Sequence, residues 1–575
     1  MKLRPYQNDA VKGIFQAWET ADSTLAVLPT GTGKTIVFAH VIKQRPPGKA
    51  LLLAHREELI WQGASKIEAV TGIKPEIEMA EFEASTGWFK GEIVVSSIQT
   101  QNSGKNGAGR MTRFDPFDFS LLIIDEAHHA TAPSYRRVID YYRQNPNLKV
   151  LGVTATPDRS DEEALGQIFD TPAYVYEILD AIHDGWLVPI KQRAVYVEGL
   201  DCSTIRTTAG DLNGADLAAV MEYEENLHAI ASPTLELTAG RKTLVFAASV
   251  AHAERLCEIF NRHKAACARF VCGETPKEER RLTLKEYAEA RFQFLVNVGV
   301  ATEGFDDPGI QCVVMARPTK SRSLYAQMAG RGTRPLPGLV DHPTLSEGKT
   351  AEESADARRW VIRESEKPFV EIIDFVGNSG RHKLITTADI LGGNYSDATV
   401  EKAREMAERA GAAVDMSEAL EEAQAEIEAA KAREQAQRAS VRVRANWKDQ
   451  VVSPFDTLQI EPRQERGWNK GRLPSEKQLS CLEKFGVNID QVKSFSQASQ
   501  LIETLIQRRQ VNSCTFKQAK ILSRYGYETK NVSFDQARSI LDQLATNGWR
   551  PLNSPTVPQA QASAAQRPER LNRVY

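Results

Sequence analysis

The sequence predicts two α/β domains in tandem, each built on a doubly wound parallel sheet, followed by an exposed helix and a small all-α repeat region. Three observations support this. The first 395 residues alternate short apolar, β-branched runs with helical segments. Those runs are continuous, as expected for strands of a parallel sheet that is covered on both faces. Residues 473–550 instead repeat a helix-start pattern at a spacing of about 40 residues.

Length and composition exclude several classes of protein. A chain of 575 residues is too long for a single hydrophobic core. It contains no apolar run of about 18 residues that could span a membrane, and no signal-peptide stretch at its start. The seven cysteines are scattered without a CxxC pair, which argues against a zinc site or a disulfide framework. We therefore expect a cytoplasmic protein, in a reduced cytosol of bacterial or phage type, with no membrane partner.

The predicted strands fall into two series, which place the two domains at residues 1–175 and 176–395. The break between the domains is expected near residues 172–190, and a polar insertion near 336–367. The first series of strands comprises residues 25–28, 50–53, 93–95, 121–124 and 150–153. The second comprises residues 243–246, 294–298, 312–315 and 369–373.

A phosphate-binding loop is predicted at residues 28–35, which read LPTGTGKT between a buried strand and a helical segment. Gly31 and Gly33 allow backbone N–H groups to turn toward phosphate oxygens at a helix N-terminus. Lys34 is expected to neutralise the β- and γ-phosphates, and Thr35 to ligate Mg²⁺. The general loop pattern begins with Gly, whereas this chain has Leu28.

An acidic pair at the end of the next strand completes the expected ATP site. Residues 125–128 read DEAH directly after the apolar run 121–124. Asp125 is expected to hold Mg²⁺, and Glu126 to orient the attacking water or accept its proton. His128 is expected to face the other domain and sense its position.

Together, the loop and the acidic pair resemble those of superfamily 2 helicases, ATP-driven motors with two RecA-like lobes. Further motifs of that family match in the correct order. They are the adenine-reading Q-type motif at residues 3–7, motif Ia at 54–59, the next strand-end contact at 96–100, motif III at 154–157, motif IV from 245, motif V at 297–306 and motif VI at 327–334.

This resemblance implies ATP and Mg²⁺ as cofactors and a role for each matched residue. The catalytic residues are expected to be Lys34, Asp125, Glu126, His128, Gln327, Arg331 and Arg334, with the last two as arginine fingers. ATP is expected to contact Arg4, Gln7, Thr30, Gly31, Thr32, Gly33, Lys34, Thr35, Gly304 and Asp306. The metal ligands are expected to be Thr35 and Asp125. The residues expected to contact the nucleic-acid strand are Arg56, Gln99, Thr100 and Thr302.

Within the superfamily, residues 1–395 resemble the RadD group and the wider XPB-like branch, and the residues that carry this likeness are 3–7, 246–253, 296–307, 317–319 and 323–325. The resemblance implies an ATP-dependent DNA helicase or translocase acting in repair, recombination or replication. An RNA helicase of the DEAH type, or a motor subunit that serves a nuclease partner, remains open. The RadD group carries a cysteine-rich zinc region after the motor, and this chain has none. Partners and repair roles particular to that group are therefore not transferred.

The C-terminal third has a different character. An Ala-, Glu- and Arg-rich spacer helix is expected at 396–446, a linker at 447–472, helical hairpins at 473–510 and 511–551, and a disordered tail at 552–575. Residues 437–575 hold 22 Lys and Arg against 12 Asp and Glu, although the whole chain has a net charge of −3. A basic tail suggests DNA contact. Docking of a partner protein or a purely structural role is the alternative. The candidate contacts are Lys477, Arg508, Arg509, Lys517, Lys520 and Arg524.

Overall fold

The computed structural model divides the chain into two compact units, and the main boundary along the chain lies between residues 443 and 444. In the first unit it describes residues 2–86, 91–104, 109–155, 164–208, 210–300, 305–378, 382–393 and 395–440. In the second unit it describes residues 453–462, 471–530, 532–547 and 549. In these ranges no helix has the length and apolar character needed to cross a bilayer.

The first sheet of the first unit has seven strands, all paired in parallel, in the order β3-β4-β2-β5-β6-β1-β7. They are β1 Ser23–Val27, β2 Lys49–Ala54, β3 Glu76–Glu78, β4 Ile93–Ser97, β5 Phe119–Asp125, β6 Lys149–Thr154 and β7 Thr171–Val175. The α-helices of this lobe are Pro5–Ala17, Lys34–Gln44, Glu57–Thr71, Ile98–Asn102 and Pro133–Tyr142. Alternate residues of β2 enter different hydrophobic clusters, so both faces of the sheet are buried.

The second sheet also has seven strands, in the order β12-β13-β11-β14-β15-β8-β16. They are β8 Ile190–Asp201, β11 Thr243–Ala247, β12 Ala268–Val271, β13 Phe294–Asn297, β14 Cys312–Ala316, β15 Val370–Asn378 and β16 Val414–Asp415. Among the described strand pairs of this sheet, only the last one, of β16 with β8, is antiparallel. A separate two-stranded sheet pairs β9 Thr207–Thr208 with β10 Asp211–Leu212.

Helices of the second lobe cover this sheet, and one helix lies in the connection from the first lobe. They are Ile178–His183, Gly214–Met221, Glu224–Thr238, Val250–His263, Lys277–Ala288, Arg322–Gly330, Ala351–Arg363 and Thr387–Leu391. The helix Ala351–Arg363 lies in the predicted polar insertion, between β14 and β15. The connection between the two sheets runs from Val175 to Ile190.

The prediction of two parallel-sheet α/β lobes is confirmed, and each of the nine predicted strands is present. The missed strands are β3, β7, β8, β12 and β16 of the two large sheets, together with β9 and β10 of the small one. β7 shows why: it lies at a sheet edge and is only partly buried, so it has no continuous apolar run. β8 is long, and its second half, residues 196–201, mixes buried and exposed residues, so it too has no continuous apolar run.

The expected exposed spacer helix differs from what the structure shows. Residues 396–440 form two helices, Asp397–Arg409 and Met416–Ser440, that pack against each other beside β8. Met416, Leu420 and Ala423 are fully buried in the core of the first unit. Alanines allow close helix packing, so a stripe of small side chains buries more than its composition suggests. The start of this segment therefore belongs to the body of the first unit.

The second unit is all-α, and both predicted hairpins are present. The first pairs Glu476–Lys484 with Phe495–Gln510, and the second pairs Phe516–Arg524 with Phe534–Thr546. Three helices begin with the predicted capping box, whereas at Ser494 the box is incomplete because Gln497 accepts from the backbone N–H of Lys493. Gly486 and Gly526 adopt the positive φ expected after a helix C-terminus.

The expected linker contributes to the core of the second unit. Residues Pro454–Leu458 form a short helix whose Phe455 and Leu458 are buried with residues of the first hairpin. The carbonyl of Thr457 accepts from the Thr529 hydroxyl at 2.9 Å. The linker helix thus packs with both hairpins. The predicted disordered tail at 552–575 lies outside the described residues.

Candidate active site

The predicted phosphate loop lies between the end of β1 and the helix Lys34–Gln44. Gly31 and Gly33 adopt φ values of 89° and 81°, a region that favours glycine. A Cβ on Gly33 would lie 2.7 Å from Nε2 of Gln7, so a larger residue there would also displace that side chain. Lys34 and Thr35 open the helix, where backbone N–H groups have no carbonyl of their own helix to bind.

Two side chains of the Q-type motif form hydrogen bonds to the backbone of this loop. Gln7 donates from Nε2 to the Thr32 carbonyl at 2.8 Å, and the Tyr6 hydroxyl donates to the same carbonyl at 2.8 Å. The backbone N–H of Arg4 donates to Oε1 of Gln7 at 3.0 Å. Gln7 is buried, so its first role in this structure is to hold the loop.

Arg4 belongs to an aromatic wall that the sequence did not predict. Its guanidinium donates to both carboxylate oxygens of Asp341, at 2.9 and 2.8 Å, and lies 4.7 Å from the ring centre of Trp186. Arg358 lies over the same ring at 4.0 Å, and Tyr6 stacks on Tyr176 at 4.7 Å. The Pro-Tyr pair before Gln7 was a signal for this wall. Trp186, Asp341 and Arg358 carried none, because they are brought in from the connection and the insertion.

The acidic pair lies opposite the loop, at the end of β5. The Lys34 ammonium donates to Oε1 of Glu126 at 2.9 Å. Glu126 has a φ of 49°, unusual for a residue with a side chain, and its N–H donates to Asp125 Oδ1 at 3.0 Å. This backbone turn directs the carboxylate toward the loop. Strain of this kind is often found at functional sites.

His128 connects the acidic pair to motif III. Its Nδ1 lies 3.2 Å from the hydroxyl of Thr154 and 3.6 Å from Oε2 of Glu126. Both of these contacts lie in the first lobe, whereas the sequence predicted that His128 would face the second. The remaining motif III positions, 156 and 157, lie outside the described residues.

Motif VI brings the second lobe against the phosphate loop. A Cβ built on Gly31 would lie 3.1 Å from Cγ of Arg334, and one on Gly330 would lie 2.7 Å from Cβ of Thr30. Arg334 forms an ion pair with Asp306, and Arg331 donates to the Phe305 carbonyl at 2.7 Å. Gln327 is buried on the helix Arg322–Gly330. The lobes therefore meet at the loop, with both predicted finger arginines beside motif V.

The chemistry of these residues fits a magnesium-bound nucleoside triphosphate. The glycine loop and helix start supply N–H donors for phosphate oxygens. Lys34, Arg331 and Arg334 supply positive charge, and Asp125 and Thr35 supply the oxygen ligands that Mg²⁺ prefers. The fold gathers the described members of this predicted set around one cleft, and their roles in binding and catalysis stay predictions. Gly304 lies outside the described residues.

The residues predicted to contact the nucleic-acid strand lie on another part of the cleft. Arg56 donates from Nη1 to the Gly299 carbonyl at 2.7 Å and so connects the two lobes. Gln99 is exposed and donates to the carbonyl of His55 at 2.9 Å. Thr100 requires a correction: it is buried, and its hydroxyl accepts from Ser97 and from the Ala80 N–H. Thr100 therefore shapes the strand end without being available to a ligand. Thr302 lies outside the described residues.

Two family profiles match the chain, one in each lobe. Residues 1–159 match the profile described as "Type III restriction enzyme, res subunit". Residues 225–335 match "Helicase conserved C-terminal domain". The first match contains the phosphate loop and the acidic pair, and the second contains motifs IV to VI.

Curated relatives match the same region. The candidate ATP-dependent helicase IRC3 of Saccharomyces cerevisiae is 32% identical over 349 residues, which cover 58% of this chain and 49% of that protein. The EcoAI type I restriction enzyme endonuclease subunit of Escherichia coli is 27% identical, covering 58% of this chain and 44% of the subunit. The candidate DNA 3'-5' helicase Rad25 of Halobacterium salinarum is 25% identical, covering 62% and 56%. The chain thus spans about half the length of these relatives.

Proposed function

Because the motor region of this chain belongs to superfamily 2 of helicases, we propose that the protein is a nucleic-acid-dependent ATPase that moves along or unwinds DNA. ATP is its proposed substrate, and Mg²⁺ is its proposed cofactor. The observation that carries this proposal is the contact of Arg334, from the second lobe, with Gly31 of the phosphate loop. One site is thereby built from two lobes, as a motor requires.

In this proposal the phosphate loop and Lys34 hold the β- and γ-phosphates, while Thr35 and Asp125 hold the metal ion. The metal ion supplies charge neutralisation at the phosphates when it is bound. Glu126 orients the attacking water and accepts its proton. The pair between Lys34 and Glu126 implies that phosphate competes with Glu126 for the ammonium. Substrate binding would then free the carboxylate for its role as a base.

Arg331 and Arg334 are proposed to stabilise the charge that develops on the transferred phosphoryl group. Arg334 would exchange its exposed partner Asp306 for a phosphate oxygen. Asp306, once released, is placed to contact the nucleotide, as the family pattern implies. The Arg4 guanidinium, held by Asp341 over Trp186, is proposed to lie against the adenine with Gln7.

Movement follows from the position of this site between the lobes. The γ-phosphate is held from both sides, so hydrolysis weakens the link between the lobes and lets the cleft open. Arg56, Gln99 and Thr302 are the proposed contacts with the DNA backbone. Arg56 is of particular interest because it also binds the carbonyl of Gly299, and would exchange one partner for the other as the lobes move.

The second unit is proposed to add DNA affinity. Lys477, Arg509, Lys517, Lys520 and Arg524 have exposed side chains. Arg508 differs, because it donates to the carbonyl of Thr529 at 2.8 Å and to that of Cys514, and so secures the second hairpin. We therefore keep the five exposed residues as candidate phosphate contacts and assign Arg508 to structure. A docking site for a partner protein is the alternative.

Two alternatives to a DNA motor remain. One is an RNA helicase, since the ATP chemistry is the same and only contacts to the 2′-hydroxyl would distinguish it. The other is a motor subunit that serves a nuclease, a possibility that the similarity to a type I restriction subunit raises.

The experiment that tests the proposal measures ATP hydrolysis with no nucleic acid, single-stranded DNA, duplex DNA, forked DNA and RNA. Stimulation by one or more of the DNA forms supports the DNA motor. Stimulation by RNA alone would overturn it in favour of an RNA helicase. The Lys34→Ala variant is the control that assigns the activity to this site.

A further inference from the structure

Lys367 is a buried lysine at the base of the cleft, beside motifs V and VI. It lies at the end of the insertion, just before β15, and is 1% exposed. Its ammonium donates to the backbone carbonyls of Pro308 and Arg334, each at 2.7 Å. The second of these carbonyls belongs to one of the two predicted arginine fingers.

The two segments that Lys367 binds are also joined directly. These segments are residues 305–308 and 331–334. On the cleft side Arg331 donates to the Phe305 carbonyl and Arg334 pairs with Asp306. Those two contacts use the guanidinium groups that catalysis would need. Lys367 binds only backbone, so its contacts can persist when the guanidinium groups turn to a phosphate.

Keeping an ammonium in this position has a cost. Burial lowers the pKa of Lys367 to about 7, while the carboxylates of Asp307 and Asp306 favour the charged form and Arg334 and Lys242 oppose it. An apolar side chain of the same length would avoid this cost but would leave two buried carbonyls without a donor. The ammonium thus satisfies both carbonyls and, by binding both, holds the two backbone segments together.

We propose that Lys367 is a positioning residue for the arginine finger Arg334, holding its backbone against that of Pro308 so that the Arg334 guanidinium reaches the phosphate loop. This inference rests on the proposed ATPase function. It assigns the polar insertion, whose last residues supply Lys367, a role in catalysis. A residue that acts only on the transition state should change kcat while leaving ATP affinity nearly intact.

The Lys367→Met variant tests this role, because it keeps most of the length of the side chain and removes its donors. We expect kcat for ATP to fall by about 10- to 100-fold, as for a misplaced catalytic group. The KM for ATP should stay within about twofold. Lys367→Gln, which retains an N–H donor on a shorter chain, should recover part of the lost kcat. If the Met variant does not fold, the Gln variant and the double variant below carry the test.

A double-variant comparison separates positioning from general stability. If Lys367 acts through Arg334, adding Lys367→Met or Lys367→Gln to Arg334→Ala should slow hydrolysis by less than about threefold further, because the group it positions is gone. Lys149→Met is the matched control. Lys149 also donates to two backbone carbonyls, those of Trp18 and Ala21, but at a distance from the cleft. The kcat of the Lys149→Met variant should equal that of the parent protein.

Two outcomes would overturn the inference. One is a kcat for the folded Lys367→Met variant within twofold of the parent protein. The other is an effect that multiplies fully with that of Arg334→Ala. Either result would leave the proposed function intact, provided the parent protein hydrolyses ATP and Lys34→Ala does not. If the parent shows no ATPase activity under any condition, the proposed function itself fails.

Discussion

The ammonium of Lys34 and the carboxylate of Glu126 form an ion pair of 2.9 Å between the phosphate loop and the end of β5, and both side chains are largely buried. Residues 92 positions apart in the chain are thus joined at one point in the cleft. Since each partner is needed for a different step, removing either one should produce a distinct defect.

Glu126→Gln should separate ATP binding from hydrolysis. The amide keeps the shape of the side chain but cannot accept a proton from water, so kcat should fall by about 10²- to 10⁴-fold. ATP affinity should be retained, because Lys34 is no longer held by a charged partner. Equilibrium binding of a fluorescent ATP analogue and steady-state hydrolysis measure the two effects. Lys34→Ala should instead lose both, and an active Lys34→Ala variant would mean that the site is wrongly assigned.

Arg334→Ala should lower kcat by about 10³-fold, the size of effect known for arginine fingers in phosphoryl transfer. Its guanidinium is placed beside Gly31, from which it can reach a bound triphosphate. Arg281→Ala is the matched control, since Arg281 is an exposed arginine of the same lobe that pairs with Glu278 one helical turn away. Hydrolysis rates at saturating ATP provide the measurement. Equal rates for the two variants would contradict the finger assignment.

Arg56→Ala should reduce stimulation of the ATPase by DNA while leaving the basal rate nearly unchanged. The residue is far in sequence from the phosphate loop and contacts the second lobe through the Gly299 carbonyl. If it exchanges that contact for a DNA phosphate, the salt dependence of DNA binding should also become shallower by about one counterion. Titrations of labelled DNA at several salt concentrations test this. Lys66→Ala, an exposed change on the helix Glu57–Thr71, is the control.

Asp374 predicts a pH dependence of stability. Burial raises the pKa of this carboxyl from 3.8 to about 7, although Tyr325 and Gln192 donate to it at 2.7 and 2.6 Å. Between about pH 4 and pH 7, the folded state therefore keeps a proton on Asp374 that the unfolded state has already released. This stabilising contribution is complete below about pH 4 and is lost as the pH rises to 7.

The Asp374→Asn variant isolates that contribution. Relative to the variant, the parent protein should lose on the order of 3 kcal/mol of unfolding free energy between pH 4.5 and pH 8. Urea denaturation of both proteins at the two pH values gives the difference. A difference that is independent of pH would mean that Asp374 has the same protonation in both states.

Truncation should show where the motor body ends. A chain that stops after residue 443 keeps the buried residues Val400, Met416 and Leu420, so it should fold and hydrolyse ATP. A chain that stops at residue 395 loses this packing and should melt at a lower temperature. Calorimetry of both truncations tests the difference. DNA affinity of the 443-residue form, compared with the whole chain, measures what the second unit adds.

The residues of the candidate ATP site could be picked out from the sequence because the pattern that marks them is local. Gly31, Gly33, Lys34 and Thr35 are adjacent in the chain, and the acidic pair follows its strand directly. Short backbone segments of this kind need specific residue types, which leave a readable pattern. The capping boxes and glycine stops of the C-terminal hairpins were predictable for the same reason.

The tertiary structure decided whatever depends on packing between distant segments. It buries Thr100, which the motif placed at the DNA, and it draws the expected spacer helix into the core. It also joins Arg4 to Asp341 and Lys367 to Arg334. The sequence alone determined two α/β lobes, the ATP chemistry and the repeated hairpins, because periodicity and short motifs report local backbone requirements. Which side chain binds the backbone of Arg334, and which of the proposed DNA contacts are exposed, was decided only by the fold, since burial and long-range contacts have no local signature.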